Sequence, residues 1–441
     1  MVETKLYKKR WFMLLIFASY SATNAYQWNQ YATISDVVTR FYSKSSLVVD
    51  WLSLSYLVVY GILILPVNWY LAKYGLMSTA AVASALNAVG AWIKVSSGNN
   101  FWVLFGGQFV AAVAQVFLLG IPAQLAAVWF GAKEVSVATA LGVLGNQLGI
   151  AFGFLAPPIF VPKPEPWDQA AVQRHIRLMH YVTGIVTTVQ FLLVLAVYRE
   201  RPPLPPSSAQ AAAVGDGVRK PPLETLKQLF SHLGFVLLLI TYGLNTGTFY
   251  AITTVLNNVV TKNFSNAEKD VGYIGLLIVL SGMLGSLLIG VWLDRTHKYR
   301  CTTIFVYLLS FLGSAAFTAS VMLASQSQIW LIYIVAAVLG FFMTGYLPLG
   351  FEFAAEITYP VSEGMTSGLL NASAQLIGTV LIIGVQELID HAVWWGKKGL
   401  SGLLLLILLL FVGCIATAFI KDEHRRQRTE TAGSTDSHTR L

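Results

Sequence analysis

The sequence predicts an all-α membrane protein with twelve transmembrane helices in two six-helix halves. Three observations carry that prediction. Only 11% of the 441 residues are Asp, Glu, Lys or Arg, against about 25% in an average soluble chain. The intervals between these charges are as long as a bilayer is thick, and one proline-rich basic segment divides them six and six. A chain that is 56% hydrophobic on this pattern is not a soluble enzyme, a disordered protein or a nucleic-acid binder.

In chain order, no charged residue occurs in Trp11–Ser35, Trp51–Leu71, Val95–Ala132, Val135–Pro162, Val271–Leu293, Cys301–Phe351, Gly364–Gln386 or Gly399–Ile420. Each interval exceeds the roughly 20 apolar residues that cross a hydrocarbon core, and Cys301–Phe351 has room for two crossings. The shorter stretches Tyr74–Ile93 and Leu178–Tyr198 and the run Gly234–Thr261 complete the twelve. Pro66, Pro122, Pro157 and Pro348 lie within them. Membrane helices tolerate such residues because neighbouring helices satisfy the freed backbone groups.

The segment from Arg199 to Ser231, with Pro202-Pro203, Pro205-Pro206 and Pro221-Pro222 among basic residues, reads as the linker between the halves. The expected organisation is a short N-terminus (1–10), a first half (11–198), a linker (199–232), a second half (233–420) and a C-terminal tail (421–441). With both termini in the cytosol, 19 of the 29 Lys and Arg face inward, as the positive-inside rule requires. The net charge of +8 is then mainly a topology signal. The first helix has no cleavage signature and reads as a signal anchor. The sequon at Asn263 falls in an outer loop and is expected to be glycosylated, and Cys301 and Cys414 imply no disulfide framework.

Internal symmetry supports two repeats. A shift of 222 residues places Tyr20 on Tyr242 and Trp28 on Tyr250, and Gln147 and Gln375 hold similar places in the fifth helix of each half. After the eighth helix, Gly290 to Arg295 resembles the inner-loop motif of the major facilitator superfamily, in which Asp294 and Arg295 would form an inner gate. The corresponding stretch of the first half, Tyr70–Gly75, has no acid, so the gate is expected mainly in the second half.

No charge falls at the centre of these spans, and none of the seven histidines reaches mid-membrane depth by them. That disfavours proton-coupled and anion carriers, which place titratable or cationic groups there. What remains at depth is neutral: Asn24, Gln27, Trp28, Gln30, Gln115, Asn146, Gln147, Thr241, Tyr242, Asn245, Tyr250, Tyr346, Asn371 and Gln375. A quaternary ammonium has no N–H to donate, and aromatic faces can surround it. An amide can both donate to and accept from a hydroxyl. Trp28 and Tyr250 are therefore cage candidates and Gln147 and Gln375 hydroxyl candidates. The alternative is that the aromatics anchor at the membrane interface and the amides tie helices together.

The segments Asn24–Tyr31, Asp50–Ser53, Gly90–Lys94, Val128–Gly131, Leu144–Gly149, Leu238–Gly243, Gly340–Glu352 and Gly368–Gln375 resemble the feline leukaemia virus subgroup C receptor family of facilitators. The likeness runs from about Leu6 to Ile420. It implies a plasma-membrane carrier of choline and ethanolamine, a family also described as haem exporters. It further implies that the choline contacts fall at Trp28, Tyr250, Gln147 and Gln375. Asn24, Asn146, Asn245 and Asn371 are read as lying behind them, with helix-to-helix amide bonds as the alternative. The expected protein is a monomeric, potential-driven uniporter in a lipid bilayer, with no cofactor, no metal, no enzymatic activity and no nucleic-acid partner. Haem export and a transport-inactive receptor of the same fold are the alternatives.

Overall fold

The computed structural model describes residues 5–131, 134–164, 166–204, 206, 222–264, 267–296, 298–325, 328–359, 361, 363–391, 393–394 and 397–421. The first half contains α1 (Lys9–Asn29), α2 (Ser35–Tyr42), α3 (Ser46–Val95), α4 (Phe101–Leu119), α5 (Ile121–Trp129), α6 (Val135–Phe160) and α7 (Gln169–Val197). Then follow α8 (Pro222–Ser231), α9 (Leu233–Asn263), α10 (Glu268–Thr296), α11 (Tyr299–Leu323), α12 (Ile329–Thr358), α13 (Glu363–His391) and α14 (Leu400–Ala418). A two-strand hairpin, β1 (Val393–Trp394) against β2 (Lys397–Lys398), precedes α14.

Among the described residues, eleven helical spans are long and apolar enough to cross a membrane, with α3 supplying two, Ser46–Leu71 and Lys73–Val95. The twelfth is α1. It misses on hydropathy because Ser21, Asn24, Gln27 and Asn29 are buried on it. The outside of the protein is apolar: Ile62, Trp102, Trp292, Leu323 and Phe419 are exposed while amides and hydroxyls fill the interior. In water that inversion would be an aggregating surface, and in lipid it is the solvated one.

The helices form two compact units. The first comprises the described residues of Met1–Val218 together with Thr253–Leu276, and the second those of Arg219–Ile252 and Leu277–Leu441. The units thus depart from the sequence halves at 253–276, the ends of α9 and α10. Asn257 on α9 donates to the Thr33 carbonyl, and its Nδ2 lies 3.5 Å from Asp36 Oδ1, which explains the membership. Lys163 pairs with the same carboxylate at 3.4 Å.

The first unit has two apolar cores. One gathers Met13, Phe17, Tyr20, Leu76, Leu125 and Phe130 toward the start of α1, and the other gathers Tyr31, Val38, Phe41, Leu52, Leu104 and Met179 beyond its end. A polar band from Ser19 to Gln27 on α1 lies between them. α7 begins nine residues before the expected Leu178, because Asp168 caps it by accepting from Ala170 N at 2.9 Å and Ala171 N at 3.1 Å, and its outer turns expose Arg174 and Arg177. His180 lies within this extended helix and is buried against Tyr31, next to Met179 of the second core.

α3 is broken at Gly75, which takes φ 80°. The helix restarts there, and Glu200 from beyond the end of α7 accepts from Leu76 N at 2.9 Å and Met77 N at 2.8 Å. The acid missing from Tyr70–Gly75 is therefore supplied from another part of the same unit, where a carboxylate complements the helix dipole. Arg10 and Glu134 form an ion pair in the first unit at 2.9 Å. In the second unit Arg295 is exposed in the last turn of α10, and the side chain of Asp294 lies outside the described residues.

Glu200→Ala should lower the stability of the purified protein by about 1–2 kcal/mol, the usual cost of losing a helix cap. Glu200→Gln, which keeps one acceptor, should lose less. A thermal-unfolding midpoint identical to wild type in Glu200→Ala would remove this role from Glu200.

Candidate functional site

In each unit the first and fifth helices of the corresponding half pack through glycines. On α6, Gly145, Gly149 and Gly153 recur every fourth residue and therefore line one face. A methyl at Gly145 would lie 2.6 Å from Ala18 Cα, and one at Gly153 2.9 Å from Asn29 Cβ, so α1 rests directly on α6. In the second unit a methyl at Gly247 would lie 2.8 Å from the Gly378 nitrogen, and Ser373 Oγ donates to the Leu239 carbonyl at 2.8 Å, which joins α9 to α13.

These two helix pairs carry all four predicted contacts. Trp28 on α1 is 5% exposed, and Gln147 on α6 is half-buried. Tyr250 on α9 is half-buried with its ring 6.1 Å from that of Phe249, and Gln375 on α13 is 5% exposed. The side-chain carbonyls of Gln147 and Gln375 are both buried with no hydrogen-bond partner among the described residues. Asn24, Gln27 and Gln115 also hold unpartnered side-chain carbonyls, so what distinguishes Gln147 and Gln375 is their matching places in the two halves.

The asparagines divide. Asn24 Nδ2 donates to Asn87 Oδ1 at 3.0 Å and to the Ala111 carbonyl at 2.9 Å, which makes it a tie between helices. Asn146 is half-buried and reaches Ser21 Oγ at 3.4 Å, and Asn371 is half-buried on α13. Asn245 is fully buried with neither end of its amide partnered among the described residues, and Gln30, just beyond α1, is in the same condition. Asn263 is the last residue of α9 rather than a loop residue, and its Nδ2 donates to the Val259 carbonyl at 2.8 Å; the sequon's Ser265 lies outside the described residues.

Sequence reasoning missed the polar band that fixes α1. Gln190 donates to Ser19 Oγ at 2.7 Å and accepts from Thr23 Oγ1 at 2.8 Å. Asn87 donates to Thr23 at 3.3 Å and accepts from Gln27 Nε2 at 2.8 Å. Gln108 accepts from Lys94 Nζ at 3.0 Å and donates to the Gln27 carbonyl at 2.6 Å. The Tyr31 hydroxyl meets His180 Nε2 at 2.8 Å. Lys94, expected among the outward-facing cations, is 1% exposed. The available signal was the pair Gly90 and Gly107, which lets α3 and α4 approach until a methyl at Gly107 would lie 2.7 Å from Lys94 Cγ.

A body with an apolar outside and unpartnered amides inside, repeated in two helical units, is that of a membrane carrier for a small polar solute. A profile of the Major Facilitator Superfamily matches residues 12–381. Among solved structures, a bacterial homologue of the human lysosomal transporter Spinster, inward-facing and occupied, superposes with a TM-score of 0.72 at 12% identity, covering 94% of this chain and 97% of that one. At such identity the likeness shows the fold alone. The choline/ethanolamine transporter flvcr2a of Danio rerio is 48% identical over 99% of this chain and 92% of its own length. The human choline/ethanolamine transporter FLVCR2 is 46% identical over 96% of this chain and 79% of its own length, and the Felis catus FLVCR1 is 46% identical over 96% and 75%. The chain belongs to the Major Facilitator Superfamily and, within it, to the FLVCR family of multi-pass membrane transporters, which are not enzymes.

Asn24→Ala should destabilise the protein by about 1 kcal/mol or more, since it removes two buried hydrogen bonds, one to Asn87 and one to the Ala111 carbonyl. Gln147→Ala removes a carbonyl that has no partner to lose and should stay within about 0.5 kcal/mol of wild type. Thermal unfolding of the two variants side by side checks the contrast, and equal losses would place Gln147 among the helix ties.

Proposed function

We propose that the protein carries choline, and with it ethanolamine, by facilitative uniport with alternating access. The observation that carries this reading is the pair of unpartnered side-chain carbonyls at Gln147 and Gln375. Each is an acceptor suited to the hydroxyl that choline and ethanolamine share. The ring faces of Trp28 and Tyr250 take the ammonium end, which offers no hydrogen-bond donor when it is quaternary. The near full-length similarity to proteins named choline/ethanolamine transporters supports the same substrates.

Lys94 and His180, two buried ionisable groups of the first unit, are engaged within the protein, with Gln108 and Tyr31 respectively, which supports transport without proton coupling. An inside-negative potential of about 100 mV supplies roughly 2.3 kcal/mol per unit charge, enough to accumulate a monovalent cation tens-fold. The reading includes a plasma-membrane location, cytosolic termini, a monomeric carrier, and Asp294 and Arg295 as an inner gate. Haem export and a transport-inactive receptor role gain no observation here.

Uptake of labelled choline by expressing cells should rise with an imposed inside-negative potential and ignore an imposed proton gradient. Trp28→Ala should raise the choline KM about tenfold or more, in line with a desolvated cation–π contact of up to about 2 kcal/mol. Uptake that follows the proton gradient and not the potential would sink the uniport mechanism, and the absence of uptake would sink the substrate assignment.

A further inference from the structure

Trp28 is the penultimate residue of α1, so the cage candidate sits where that helix runs out of hydrogen-bond partners. The last helical bond runs from Gln30 N to the Tyr26 carbonyl at 2.9 Å, and the chain then tightens into a turn, with Ala32 N on the Asn29 carbonyl at 3.1 Å. The carbonyls between them are taken by side chains from other helices. Gln108 Nε2 on α4 donates to the Gln27 carbonyl at 2.6 Å, and Ser53 Oγ on α3 donates to the Trp28 carbonyl at 3.2 Å.

Gln108 can do this only with its amide turned one way, and Lys94 sets the turn. An ammonium has donors and no acceptor. It can therefore hold only the oxygen of Gln108, at 3.0 Å, which leaves Nε2 facing Gln27. Lys94 is the last residue but one of α3, a place from which a lysine ordinarily snorkels to water. Here its stem crosses Gly107 and its Nζ lies 5.9 Å from the Tyr31 ring centroid. The Tyr31 hydroxyl is in turn bonded to His180. A buried cation beside the carbonyl end of α1 is also favourably placed for that helix dipole.

We propose that Lys94 and Gln108 are positioning residues for transport, a relay in which the buried ammonium orients one amide and that amide fixes the C-terminal end of α1, and with it the Trp28 ring. The proposal rests on Trp28 being a substrate contact, as inferred above. The relay needs a donor-only group at 94 and a group with one donor and one acceptor at 108. A site that merely needed its charge balanced would instead be improved by a carboxylate at 108.

The test uses the full chain with Lys94→Met, Lys94→Arg and Gln108→Glu. Hydrogen exchange of the purified proteins, followed over residues 24–31, should be about tenfold faster in Lys94→Met and Gln108→Glu and near wild type in Lys94→Arg. Choline uptake should show KM raised about tenfold in the first two, Vmax per transporter at the surface largely kept, and KM restored in Lys94→Arg. Adding Lys94→Met to Trp28→Ala should raise KM no further. Unchanged exchange in Lys94→Met, a Gln108→Glu transporter equal to wild type, or effects that multiply with Trp28→Ala would overturn the relay. Loss of folded protein in all three variants, Lys94→Arg included, would assign the pair to the core and overturn it as well. If wild type itself takes up no choline, the substrate reading fails alone, and the exchange comparison still decides the relay.

Discussion

Every polar group that enters the membrane-spanning body must find its partner inside the protein, because lipid offers none. α1 shows how that constraint is met. It buries Ser21, Asn24, Gln27 and Asn29, ends within the buried part of the first unit, and holds Trp28, an aromatic side chain suited to an organic cation. Asn87, Gln108, Gln190 and Ser53 answer this burden from three other helices. Other buried polar atoms lack a partner among the described residues, the carbonyls of Gln27 and Gln115 among them, and what sets Gln147 and Gln375 apart is that they hold matching places in the two halves.

The fold was legible because charges are costly in hydrocarbon, so their absence marks each span. The reading was incomplete where a charge lies near a span's end. Arg174 and Arg177 hid the outer turns of α7 by projecting from an extension of the helix, and Lys94 counted as an outer residue although its side chain turns inward. A sequence gives the position of a lysine along a helix but not the direction of its four-carbon stem. The candidate site was legible in residue type, since aromatics and amides at matching places in two repeats are visible without coordinates. Which amides tie helices was not, because Asn24 and Gln147 look alike in a sequence, and only the structure shows the Asn24 nitrogen bonded to Asn87 and the Ala111 carbonyl.

The glycine seams give the two halves a common construction. Gly145 and Gly153 seat α6 on α1, and Gly247 and Ser373 join α9 to α13, so in each unit an aromatic and a glutamine are carried on a tightly apposed helix pair. Close backbone approach leaves little room for one helix to slide against the other. Trp28 is thereby held in register with Gln147, and Tyr250 with Gln375. The ion pair of Arg10 with Glu134 and the cap from Glu200 add fixed points at the other end of the first unit.

The polar face of α1 has a consequence for how the protein is made. It is synthesised before the other eleven spans, yet it is the one whose hydropathy falls below theirs. Buried amides that suit the finished carrier count against partition of an isolated helix into lipid. Its stable residence in the bilayer therefore depends on segments synthesised later, with α3, α4 and α7 supplying the side chains that receive its amides and carbonyls. Biogenesis of the first half is in this sense retroactive, and a defect in a later helix can surface as failed retention of the first.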